Sequence, residues 1–230
     1  MNRTPFAEGE WYHCYNRGVE KRRIFENTKD YERFLMLLYV SNSQERIHLS
    51  DFGQSRQGPT LPEVLAAERG APLVDIGAYC LMSNHFHLLL RPLTEKGIPL
   101  FMQKVSTGYS MYFNKKNDRS GTLIQGKFKS RWIDTDVYFR RALNYIHANA
   151  AELYEPGWKQ GNIKNKKVLK KKLLAYPFSS LSLYVEDKPH PIVNKDAVTA
   201  MLERLPTLDD LLEEARIFAQ EKPRQGRTLP

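Results

Sequence analysis

The period of the apolar positions changes several times along this chain, and each change marks an element. Aromatic residues alternate over residues 10–17 (EWYHCYNR) and stop at Gly18, which predicts a strand. From Thr28, placed to cap a helix, Tyr31, Phe34, Leu35 and Leu38 recur at i, i+3, i+4 and i+7, and the helix extends to about Arg46. Residues 50–72 carry Gly, Pro and Ser breakers and read as a long connection with one helical turn around Pro62 to Glu68. Leu73 to Met82 and His85 to Arg91 read as two strands joined by a tight turn at Ser83-Asn84. Pro99 opens a second helix whose stripe is Met102, Val105, Tyr109, Tyr112 and Phe113. After a polar turn from Asn117 to Gly121, Thr122 to Ile133 alternates as a strand. Asp134 or Thr135 then caps a third helix that ends near Ala150.

The resulting order, β-α-β-β-α-β-α, predicts an α+β protein. Its first six elements are those of a ferredoxin-like sheet, and the third helix is an addition. Residues 1–150 form the expected main domain. Residues 151–230 form a C-terminal extension packing on it: a lysine-rich stretch, the segment Tyr176 to Tyr184, and an amphipathic helix over 206–221 with acidic residues early. The last residues, from Arg224, read as a frayed tail.

Charge sharpens this picture. The 230 residues hold 35 Lys and Arg against 26 Asp and Glu, a net +9. Residues 101–175 alone hold 16 basic and 5 acidic side chains, so that segment carries +11 and the rest sums to −2. Such a concentration is the footprint expected of a polyanion-binding surface, and the bland alternative is a solvated face that keeps the protein soluble. Two cysteines, Cys14 and Cys80, with no CxxC pairing, exclude a thiolate zinc site and a disulfide scaffold. No apolar run approaches the roughly 20 residues of a bilayer span, and the N-terminus has no signal-peptide core. The expectation is a soluble, basic, cytoplasmic protein with no membrane partner.

The sharpest chemical signal is His85-Phe86-His87. On a strand, residues i and i+2 share a face, so both imidazoles converge while Phe86 turns into the core. Taken alone, such a pair is more often two satisfied histidines than half of a metal site. An oxygen ligand is available on the third helix, where Tyr145 and Asn149 stand four residues apart on one face. A tyrosine beside a metal is able to attack phosphorus, although Tyr145 also fits the packing stripe of Phe139, Leu143 and Ile146. His147 falls on another side of that helix and is expected at the surface or against the tail. His13 is left as structural, with its face undecided.

In combination these motifs resemble the single-tyrosine HUH (IS200-like) transposases, and most nearly the REP-associated tyrosine transposases. The resemblance runs from about Glu10 to Tyr184. It rests on WYHCYNRGVEKRRIF, DYERF, MSNHFHLLLRP, GTLIQGKFKSRWID, YIHAN and YPFSSLSLY, in that order. It implies that His85, His87 and Asn149 hold Mg²⁺ or Mn²⁺, and that Tyr145 cleaves single-stranded DNA at or near a hairpin. A 5′-phosphotyrosine and a free 3′-OH would result, from which strands can be rejoined. Ala150 stands where the family's usual pattern has proline, and no ligand is lost. Tyr138, seven residues before Tyr145, is a rival nucleophile; Tyr109 and Tyr112 read as core.

On this reading Gln125, Lys127, Lys129 and Arg131 share one face of the last strand, and Arg140, Arg141, Lys170 and Lys171 add further DNA contacts. The expected partner is single-stranded or hairpin DNA, and the protein acts as a monomer or homodimer associated with the nucleoid. Two other functions fit the same residues. One is a domesticated protein that binds hairpin DNA or RNA without cutting it. The other is a metal phosphodiesterase that uses water in place of tyrosine.

Overall fold

A computed structural model describes residues 6–52 and 58–221. The tail expected beyond Arg224 and the middle of the 50–72 connection lie outside these residues. Four strands, β1 (Trp11–Arg17), β2 (Val74–Met82), β3 (His85–Pro92) and β4 (Lys129–Ile133), form one sheet in the order β2-β3-β1-β4. Every neighbouring pair is antiparallel. This is the ferredoxin-like arrangement, in which β1 and β3 occupy the centre.

Eight α-helices dress the sheet among the described residues: α1 (Thr28–Val40), α2 (Leu61–Ala66), α3 (Gly97–Lys116), α4 (Asp136–Ala148), α5 (Lys166–Leu174), α6 (Leu181–Val185), α7 (Lys195–Thr199) and α8 (Leu208–Gln220). α1 and α3 cover one face. There Phe34 packs on Phe86 with ring centroids 4.9 Å apart, and Tyr109 packs on Phe34 at 5.1 Å. α4 covers the opposite face over β2 and β3, and α8 lies along α4. The alternation in β3 is therefore realised, with Phe86 fully buried under the first pair of helices and the two histidines on the other side.

Several boundaries differ from the periodicity. Asn27, not Thr28, caps α1: its side chain accepts from the Asp30 backbone N–H while Asp30 accepts from Asn27 N–H. α1 stops at Val40 because Asn42 serves the sheet instead. Its Oδ1 accepts from the N–H groups of Leu73 and Val74 at 2.9 Å, and its Nδ2 donates to Val74 O at 2.8 Å. The strand expected over Thr122 to Ile133 is cut short. Ile124 makes one isolated bridge to Gly18, and Gly126 then takes φ +57°, so the ladder resumes only at Lys129. Past α4, a 3₁₀ turn from Asn149 to Leu153 occupies the place where the proline was absent.

The segment Tyr176–Tyr184 covers the β2 edge. Leu81 N–H donates to Phe178 O at 2.9 Å, Tyr79 and Ser180 exchange bonds, and Tyr176 Oη donates to Leu81 O at 2.6 Å. An exposed edge is thereby closed by the chain's own extension.

Candidate active site

Cross-strand partners share a face, so the sheet register decides which side chains meet. Arg17 and Met82 pair with His85, Tyr15 and Cys80 with His87, and Tyr15 in turn with Lys129. His13 pairs with Arg131. His13, Tyr15, His85, His87, Lys129 and Arg131 thus project from the face that α4 covers.

Tyr145 of α4 meets them from above. Its ring lies edge-on to His87 at 5.6 Å and to His13 at 5.7 Å between centroids. Phe218 of α8 packs on the same ring at 5.0 Å. The ammonium of Lys159, paired with Glu152 at 2.7 Å, sits 6.0 Å from its centre. Burial raises the Tyr145 phenol above its ordinary value, while Lys159 and Arg131 oppose that shift. The phenol is neutral at rest in a surrounding that includes two cations able to stabilise its deprotonated form.

The imidazoles are held in defined orientations. His87 Nδ1 lies 2.8 Å from His13 Nε2, and His85 Nδ1 lies 2.6 Å from Asn84 Oδ1. Each pair leaves the Nε2 of His85 or His87 as the nitrogen a cation would use. Burial pushes His85 down to about 4 and His13 to about 3, and puts His87 well below its ordinary value. All three rings are neutral near pH 7, the form in which imidazole binds a cation. Asn149 is buried one turn beyond Tyr145, and its Nδ2 donates to Tyr145 O at 2.6 Å. That bond commits the amide nitrogen and leaves Oδ1 as the atom a cation would use. The donor set fits a divalent ion: two neutral nitrogens fixed by second partners, and a carboxamide oxygen.

The rival tyrosines lie elsewhere. Tyr109 Oη donates to Ile24 O and Tyr112 Oη to Asp30 Oδ1, both on the α1–α3 side. Tyr138 is buried against Phe218 at 5.0 Å.

Of the expected DNA contacts, Lys129 and Arg131 fall on the histidine face. The break at Gly126 takes Lys127 off it, while Gln125 stays beside Arg17, the cross-strand partner of His85. Gln125 is held by Arg17, whose Nε donates to Oε1 at 2.7 Å, and Lys127 opens toward α3. Arg140 pairs with Glu214 at 2.7 Å, Arg141 with Glu221 at 2.5 Å, and Lys170 with Asp209. These cations are engaged by the acidic side of α8 and its end. Lys171 is exposed on α5.

His147 is not at the surface. It is buried under the extension, with Nε2 2.9 Å from Ser180 Oγ. His13, Tyr15, Lys159 and Phe218 were not singled out by the sequence as site residues. His13 and Tyr15 carried a usable signal, since they stand two apart on a central strand, whereas the other two come from the extension and had none.

No family model matches the chain, and no curated protein matches it. Among solved structures, a REP-associated tyrosine transposase bound to a REP hairpin is similar over 84% of this chain and 88% of that one, at 12% identity with a TM-score of 0.50. No helix among the described residues is long and apolar enough to cross a membrane. The chain has the α+β fold of a REP-associated tyrosine transposase.

Proposed function

We propose that this protein is a DNA transposase that cleaves and rejoins single strands at or near hairpins through Tyr145. The observation that carries the reading is the meeting of Tyr145 with the His85–His87 pair on a face that also bears Lys129 and Arg131. The Tyr145 Oη attacks phosphorus in line, forming a Tyr–O–P bond as the P–O3′ bond breaks. The phenolic proton passes to solvent water, and the departing 3′ oxygen takes up a proton from solvent. Lys159 and Arg131 stabilise the phenolate, and Lys129 and Arg131 hold strand phosphates. A Mg²⁺ or Mn²⁺ ion, held by His85, His87 and Asn149, would neutralise a non-bridging phosphoryl oxygen. Because the ester energy is kept in the phosphotyrosine, a 3′-OH reverses the attack without ATP.

The protein would act as a monomer or a homodimer. Such a protein would act in the cytoplasm, on the nucleoid. The packing of Phe218 on the Tyr145 ring favours one second reading, a hairpin-binding protein that does not cut.

The test uses a 3′-labelled hairpin from the flanks of its own gene, with Mn²⁺ or Mg²⁺, on a denaturing protein gel. A labelled band at protein mass, absent with Tyr145→Phe and with chelator, supports the transposase. Cut DNA without the band favours a water-using nuclease, and binding without cutting favours the second reading.

A further inference from the structure

Between α1 and α3, on the side of the sheet away from Tyr145, runs a groove of about 1320 Å³ that the chemistry above does not use. One wall is a stripe of α1, with Arg33, Leu37 and Val40 at i, i+4 and i+7. The other is a stripe of α3, where Leu100, Lys104, Gly108, Met111 and Lys115 follow the same period. The helices close on each other at Gly108, where a Cβ would lie 3.0 Å from Leu37 Cδ2. Ile47 and Leu49 add further apolar lining. Met111, at 68% exposure, is the most exposed large apolar side chain among the described residues.

The charge in this groove has one sign. Arg33, Arg46, Lys104 and Lys115 line it, and no Asp or Glu among the described residues does. Arg33 lies 5.1 Å over the Tyr112 ring, and its buried Nε has no hydrogen-bond partner among the described residues. Lys104 donates to the backbone oxygens of Ser43 and Glu45, not to a carboxylate. Burial, and then the charge of Arg46, hold its ammonium below the ordinary lysine value.

An apolar trough with an unneutralised basic lining has a definite complement. Its volume exceeds the roughly 300–1,000 Å³ of small-ligand pockets. Phosphates would satisfy the cations but leave Leu100 and Met111 against water. An amphipathic helix with acidic flanks satisfies both, its apolar stripe on the adaptable methionine and its carboxylates on the lysines and arginines. The stripe from Leu100 to Lys115 is about 22 Å long, which accommodates about 15 helical residues. The chain itself holds such a helix elsewhere: α8 lays apolar residues on α4 while Glu214 engages Arg140. We propose that the α1–α3 groove is a docking site for an acidic amphipathic helix of a partner protein. It is independent of the DNA reading above, because a helix seated there leaves the Tyr145 face uncovered.

The test is fluorescence anisotropy with a labelled peptide of about 15 residues, built from Leu, Glu and Ala with the leucines in one helical stripe. A scrambled peptide of the same composition is the control for charge alone. The striped peptide is expected to bind at least about tenfold more tightly than the scrambled one. Met111→Glu and Lys115→Glu, both at exposed positions and both checked for an unchanged melting temperature, should each cost about tenfold. Hairpin DNA in chelator should not displace the peptide. Equal binding of the two peptides, or binding that Met111→Glu leaves unchanged, overturns the proposal. Displacement by hairpin DNA would make the groove a nucleic-acid surface instead. A dimer of the protein alone, seen by light scattering and lost in Met111→Glu, would give the groove to a second copy and also overturn it.

Discussion

His13 Nε2 lies 2.8 Å from His87 Nδ1, with the two rings roughly parallel at 24°. One central strand thereby holds the ring and aim of a candidate ligand on its neighbour. A ligating histidine whose other nitrogen has a partner is the arrangement that gives metal sites their affinity. His13→Ala should lower Mn²⁺ affinity by about 10- to 100-fold, read by isothermal titration calorimetry, while hairpin affinity in chelator stays unchanged. Unchanged Mn²⁺ affinity would show that His13 is only packing.

The basic side chains divide into two groups with different consequences. Lys129 stands on the candidate catalytic face, whereas Arg140 is engaged by Glu214. Lys129→Ala should weaken DNA binding and reduce the slope of log affinity against log salt by about 1. Arg140→Ala should leave that slope unaltered and cost stability of about 1 kcal/mol, the scale of a half-exposed ion pair, measured by urea unfolding. The opposite assignment of slopes would mean that α8 leaves Arg140 when DNA binds.

Acid should destabilise the fold through its buried histidines. Burial holds His147 at about 3 in the folded protein against an ordinary 6.5. Below 6.5 the unfolded chain takes up a proton that the folded one refuses, so stability is full above that pH and falls as pH drops. The slope is about 1.4 kcal/mol per pH unit until about pH 3 is approached. Urea midpoints measured between pH 7 and 5 should therefore fall less steeply for His147→Gln, which lacks the titrating ring. Parallel curves for the two proteins would contradict this.

Much of the fold was legible because short-range pattern and long-range pairing agree. The alternation in His85-Phe86-His87 needs only strand geometry, and the four strands close in the ferredoxin-like order that the β-α-β-β-α-β succession suggests. Tyr145 was legible as a candidate by its position on a helix after the last strand. The misplacements have local causes. Gly126 breaks an alternation that looked continuous through Lys127, and Asn42 leaves a helical pattern to bond β2. His13 was ambiguous because both neighbours, Tyr12 and Cys14, are as apolar as a core face requires. The pairing of Arg140, Arg141 and Lys170 with Glu214, Glu221 and Asp209 joins residues 39 to 80 positions apart. No local pattern encodes that pairing, so charge density alone overstated the free cationic surface.

The central claim is that Tyr145 itself becomes linked to DNA. Protein incubated with hairpin DNA and Mn²⁺ can be digested with nuclease and trypsin, and its peptides sequenced by mass spectrometry. The peptide from Ala142 to Lys159 holds both Tyr145 and Tyr154, so fragmentation within it separates the two. The account predicts a nucleotide phosphate on Tyr145. The same mass on Tyr138, Tyr154 or Tyr15, or cut DNA with no modified tyrosine, would contradict it.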